Sequence, residues 1–174
     1  MSWQFQTIEK AATDFDFNSP EASYAVFLCS SRVPYPAAFA RHYWFVVKSP
    51  EGINRWEFGK FYGSPHPGNI GVLRNFFPPG QGMNKFGCWS KARFSGSVHQ
   101  SVSGAQNSQA QQLLRFIVKH AEDYPFRFYY RYRGPNSNSF ISWVLSHFPD
   151  QPFSLRASAI GQHYPVPLLP KDFL

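Results

Sequence analysis

The chain has two cysteines, two methionines and only ten acidic residues in 174, against seventeen lysines and arginines. Cys29 and Cys88 stand far apart without metal-ligand spacing, and the single disulfide they could form says little about compartment. The six histidines, at 42, 66, 99, 120, 147 and 163, show neither paired helical nor Cys/His spacing, so no metal site is expected. No cofactor is implied either. The runs Gly63-Ser64-Pro65-His66-Pro67-Gly68 and Pro78-Pro79-Gly80-Gln81-Gly82 lack a strand-to-helix context and the lysine of a phosphate loop. No apolar run has the length of a membrane span. Residues 1–16 mix charged and apolar side chains without the basic cap and continuous apolar core of a signal peptide. That start points to a cytoplasmic protein, or one exported without a cleavable signal.

What is abundant is aromatic: 19% of residues are Phe, Trp or Tyr, and 43% are hydrophobic, which excludes a disordered chain. Residues 1–174 read as a single domain, with no internal repeat and no linker. A net charge of +7 and many aromatics invite a nucleic-acid reading. The basic residues are dispersed, however, with only Arg127, Arg131 and Arg133 grouped, and aromatic-rich grooves bind sugars and peptides equally well. Nucleic acid is therefore the weakest of the partner readings.

Along the chain, residues 1–20 read as a peripheral arm, and residues 22–30 as a first strand ended by Pro34-Tyr35-Pro36. Residues 41–48 and 54–62 follow as strands around a turn at 49–52, predicting an antiparallel meander with His42 and Trp44 on one face and Tyr43 and Phe45 on the other. Residues 63–87, dense in Gly, Pro and Asn, read as a long functional loop, and 88–94 as a candidate return to the sheet. In 104–124, Ala110, Leu113, Leu114, Ile117, Ala121 and Tyr124 recur at helical spacing. Pro125 ends that helix, and the alternation of 126–132 predicts another strand. A second helix begins near Ser137, with Phe140, Ile141, Val144, Leu145 and Phe148 as its buried stripe. Residues 149–174 form a Pro-rich tail, too apolar at Ile160, Tyr164, Val166, Leu168 and Leu169 to float freely. The expected fold class is α+β: an antiparallel sheet packed by two main helices.

The chemically suggestive stretch is Gly134-Pro135-Asn136-Ser137-Asn138-Ser139-Phe140, a polar turn running straight into an amphipathic helix. Ser137 would sit at the positive end of the helix dipole, beside backbone donors able to hold an anion. Ser and Asn before an apolar run are also ordinary helix caps. Asn136 and Asn138 either brace the turn or donate to an oxyanion.

Together with His42-Tyr43-Trp44-Phe45-Val46-Val47-Lys48, Arg55-Trp56-Glu57-Phe58 and Ala159-Ile160-Gly161, this turn resembles an uncharacterised bacterial family with a Gly-Pro-Asn-Ser-Asn turn. The order of parts is similar to circularly permuted papain-like folds of the NlpC/P60 and lecithin:retinol acyltransferase type. There, a histidine lies on an early strand, a polar partner on the next, and the nucleophile, typically a cysteine within Asn-Cys-Asn, at the start of a later helix. The resemblance implies Ser137 as nucleophile, His42 as general base and Glu57 as its orienting acid, acting on peptide, peptidoglycan or lipid-derived acyl substrates. Serine for cysteine matters, because a hydroxyl needs a well-placed base whereas a thiol is already partly ionised. The other reading is an inactive module that binds a protein, peptide or glycan in the same groove, walled by Trp44, Trp56 and the 63–87 loop.

His42 on its strand is alternatively a structural histidine, and Glu57 an ordinary partner of a nearby arginine. Cys29 with His42 is a further nucleophilic pair, although Cys29 on an apolar strand reads first as a buried small residue.

Overall fold

The computed structural model describes residues 3–18, 21–87 and 90–170. Its main body is a six-stranded antiparallel sheet in the order β1-β8-β2-β3-β4-β5, built from β1 (Gln4–Ala11), β2 (Tyr24–Arg32), β3 (Arg41–Ser49), β4 (Gly52–Lys60), β5 (Ile70–Arg74) and β8 (Ser97–Gly104). A separate two-stranded sheet pairs β6 (Gln81–Asn84) with β7 (Arg93–Ser95). Two helices, α1 (Gln109–His120) and α2 (Ser137–Ser146), pack on one face of the large sheet. The α+β class and its two helices thus stand as expected.

Alternation decides what each face receives. On the helical side, Val26, Leu28, Tyr43, Phe45, Val47, Trp56 and Phe58 meet Leu113, Ile117, Phe140, Trp143 and Val144 in the larger core. On the other side, Phe27, Cys29, Trp44, Val46 and Val98 form a smaller core with Phe17. Register confirms the pairing, with Leu28 opposite Phe45, Cys29 opposite Trp44 and Phe45 opposite Trp56. Each large apolar side chain so buried contributes about 1.5–3 kcal/mol before entropy is counted. Helix α1 starts at Ser108, whose hydroxyl accepts from the Gln111 N–H, and its predicted stripe is buried throughout.

Four expectations change. Residues 4–11, expected as part of an arm, form an edge strand on β8. The 63–87 loop contains β5, which completes the sheet despite Gly71 near its start, and β6. Strand β8, between β1 and β2, was hidden by its Ser, Gln and His content. Finally, 126–132 is a series of turns outside both sheets, closed by bonds from the Arg127 N–H to the Tyr124 carbonyl and from the Tyr129 N–H to the Phe126 carbonyl. Phe126 and Tyr130 pack on the core while Phe128 and Tyr132 are exposed, so the true spacing is four, not two. Cys88, and with it the start of the candidate return strand, lies outside the described residues; the later part of that stretch enters β7 of the small sheet.

Candidate functional site

Two polar constellations lie inside the sheet. The first gathers the predicted residues. Below residue 45, β3 is no longer paired to β4: the ladder between them runs only from Phe45 with Trp56 to Ser49 with Gly52. Asn138 fills the gap, its Oδ1 accepting from the Tyr43 N–H (3.2 Å) and its Nδ2 donating to the Arg41 carbonyl (2.8 Å). The side chain thereby does the work of a neighbouring strand for the two residues flanking His42.

The helix start is equally saturated. Asn136 caps α2 by accepting from the Asn138 and Ser139 N–H groups, and its Nδ2 donates to the carbonyls of Tyr132 (2.7 Å) and Ile160 (2.9 Å). Ser139 completes a capping box and receives Tyr124, whose hydroxyl lies 2.8 Å from its own. Asn138 Nδ2 shares the Ile160 carbonyl at 2.9 Å. Gly161, at φ +88°, is required here, since a Cβ would fall 2.4 Å from Asn136 Nδ2. Asn136 and Asn138 are therefore braces whose donors are already engaged.

On the opposite face, His42 Nε2 meets Glu57 Oε2 at 2.9 Å, and Arg55 binds the same carboxylate through Nε (2.8 Å) and Nη2 (2.9 Å). Arg55 and Glu57 are fully buried and His42 nearly so. The guanidinium also lies 4.1 Å over the Trp44 ring and donates to the Pro78 and Gln81 carbonyls. Burial alone would push the Glu57 carboxyl up, but the Arg55 charge and the bonds from His42 and Arg55 outweigh it and hold the group below its ordinary value. His42 Nδ1 takes part in no hydrogen bond among the described residues.

The structure brings His42 and Glu57 together, and Ser137 not with them. The Ser137 hydroxyl donates to Asn138 Oδ1 (3.4 Å) and lies against Tyr130 on the helical side; no hydrogen bond joins it to His42. Trp44 and Trp56 are buried on opposite faces, the Trp44 indole donating to the Pro79 carbonyl. Cys29 is buried and its thiol is pushed up, which leaves it without thiolate character.

The second constellation was not foreseen. Ser30 Oγ lies 2.6 Å from His99 Nε2, and His99 Nδ1 lies 3.2 Å from Glu9 Oε2, across the adjacent strands β2, β8 and β1. Arg41 Nη1 donates to the Ser30 oxygen at 2.9 Å. A bulge makes this possible: β8 slips against both neighbours, between Leu28 and Cys29 on one side and between Thr7 and Lys10 on the other, exactly where His99 sits. Glu9 carries φ +49°, strained for a side chain of its kind. Bulges of this sort re-aim a side chain.

Burial pushes the His99 imidazole down, partly offset by Glu9, so the ring is neutral at neutral pH. With Nδ1–H given to Glu9, Nε2 is the acceptor and the Ser30 hydroxyl the donor. Burial raises Glu9, but its bonds from Arg156 and His99 outweigh this and keep it ionised. Over the site lies an irregular strap from the tail, held by the Arg156–Glu9 ion pair, the Arg156 N–H to the Tyr43 hydroxyl (3.4 Å), Ser154 to Gln100, and the Arg41 N–H to the Ser158 carbonyl (2.9 Å). The one local signal in the sequence was a polar Ser-Val-His-Gln-Ser run at 97–101, which lacks a motif.

A six-stranded antiparallel sheet with two helices on one face, crossed by a chain from buried Ser30 and His99 to half-exposed Glu9, describes the class of domain. The chain belongs to the DUF3750 family, a protein family of unknown function, whose model matches residues 21–164. No curated protein and no solved structure matches it.

Proposed function

We propose that the protein is a serine-nucleophile hydrolase or acyltransferase acting on an amide, ester or thioester, with Ser30 as nucleophile, His99 as general base and Glu9 as its orienting acid. The observation that carries this reading is the unbroken Ser30–His99–Glu9 chain at 2.6 and 3.2 Å. As Ser30 Oγ attacks the acyl carbon, its proton passes to His99 Nε2, and the Arg41 guanidinium faces the oxyanion that forms. The protonated imidazole then returns that proton to the leaving group, and water or an acyl acceptor discharges the acyl-serine. Ser30 is buried under the strap, so substrate enters when the 153–158 segment lifts from Glu9 and Gln100.

A second reading is the permuted papain-like arrangement, with Ser137, His42 and Glu57 in the same roles on peptide, peptidoglycan or acyl substrates, which requires the Ser137 hydroxyl to move from the helical side to His42. It is favoured by the His42 Nε2 bond to Glu57, which leaves Nδ1 as the open nitrogen. One experiment separates the two. A fluorophosphonate probe is incubated with the wild type, Ser30→Ala, His99→Ala and Ser137→Ala, and the modified serine is mapped by mass spectrometry. Labelling at Ser30, abolished by Ser30→Ala, slowed at least about 100-fold by His99→Ala and kept by Ser137→Ala, is the expected result. Modification of Ser137 instead would transfer the role to the second reading, and the absence of labelling in all four proteins would end both.

A further inference from the structure

On the sheet face away from the helices, beyond His42, the ends of β4, β6 and β7 enclose a cleft of about 320 Å³, at the small end of ordinary ligand cavities. Phe61, Phe76 and Phe77 pack against one another there, with ring centroids 4.7–6.0 Å apart, and offer both faces and edges. Lys60 and Arg93 stand on the lining, both exposed, and Arg93 lies 5.7 Å from the Phe77 ring centre. No carboxylate lines the cleft, and neither cation has an ion-pair partner among the described residues. Asn84, also on the lining, has a buried side-chain oxygen with no donor.

These features ask for three things at once: a ring for the phenylalanines, a carboxylate for Lys60 and Arg93, and an N–H for the Asn84 oxygen. From this we infer that the cleft binds an aromatic residue bearing a free α-carboxylate and an acylated α-nitrogen, as at the C-terminus of a peptide or in an N-acyl amino acid. An aliphatic carboxylate would leave the ring surfaces poorly matched, and an amidated residue would leave both cations unpaired. The site lies across the sheet from Ser30 and does not depend on the hydrolase reading.

The test is calorimetric titration with N-acetylphenylalanine, its carboxamide, and a tetrapeptide ending in phenylalanine with a free carboxylate. The acid is expected to bind saturably and at least about tenfold more tightly than the carboxamide, a difference of one charge-assisted contact. Arg93→Gln and Lys60→Gln, both surface changes checked for an unaltered melting curve, should each erase most of that difference, and Ser30→Ala should leave it intact. Equal affinity for acid and carboxamide, no saturation at millimolar ligand, or indifference to both charge substitutions would overturn the assignment. Tighter binding of the tetrapeptide than of N-acetylphenylalanine would assign the cleft to peptide termini, and equal binding to the small acyl amino acid.

Discussion

Replacing Asn138 with alanine removes one small side chain and strands two strand groups. The Tyr43 N–H and the Arg41 carbonyl face the gap between β3 and β4, and Asn138 supplies their hydrogen bonds. The Ile160 carbonyl also loses Asn138 but keeps Asn136 at 2.9 Å. Each buried backbone group left without a partner costs about 1–3 kcal/mol, so Asn138→Ala should lose about 2–6 kcal/mol. In a domain of this size that lowers the melting temperature by roughly 4–24 °C. Asn138→Asp makes a sharper test, because it keeps the shape and replaces the donor with a carboxylate facing two carbonyls. Its charged form is disfavoured in the folded protein, so the folded-state pKa of the introduced group lies above its ordinary value of about 3.9. Relative to the wild type the variant is then least destabilised below that value, and the deficit grows as pH rises through the folded-state pKa. Urea unfolding followed by tryptophan fluorescence from pH 4 to 8 reads both effects. An alanine variant within about 1 kcal/mol of wild type, or an aspartate variant with the wild-type pH slope, would refute the role given to this side chain.

Arg55→Leu should cost about 3–5 kcal/mol by leaving Glu57 charged in the core with only His42, and adding Glu57→Gln should recover a large part of it; a double-substitution cycle by urea titration checks this, and strict additivity would contradict it. For the wild type, His99 and His147 are both pushed down by burial, and His147 accepts from the Leu169 N–H through Nε2. The unfolded chain therefore binds more protons just below the ordinary histidine value, so their contribution is complete above about pH 6.5 and is lost as pH falls toward the folded values. Glu9 and Glu57, held low, keep their contribution above 4.5 and lose it below. Stability should thus decline in two stages on acidification, and a flat profile between pH 7 and 5 would exclude the histidine stage.

Much of the fold was legible where period and burial coincide. Strands β2, β3 and β4 bury their apolar residues on both faces, and α1 and α2 carry apolar stripes at helical spacing, so their sequences announce them. Strand β8 was not legible, because its inward positions include His99 and Ser101, whose burial depends on partners 69 and 90 residues distant or on neighbouring strands. The stretch 126–132 misled for the opposite reason: its alternation is real, but Phe126 and Tyr130 alone are drawn inward by Tyr124, Phe58 and Tyr164. Among site residues, the facing of His42 and Glu57 follows from two-residue alternation on adjacent strands. That Asn138 rather than Ser137 reaches β3 depends on the helix's rotation, which local sequence does not encode. The Ser30–His99 contact depends on a bulge, and a one-residue register shift leaves no mark in the sequence.

The Ile160 carbonyl, shared by Asn136 and Asn138, sits more than a hundred residues after the strand whose gap it helps to close. During synthesis the chain leaves the ribosome from its first residue onward, so β3 and β4 emerge long before α2, and α2 before the carbonyl that orients its two asparagines. The meander can pair early on its own turn, yet its open end has no complete set of partners until the tail arrives. The open end of the meander is therefore completed through a nonhelical, nonstrand segment rather than through a further strand.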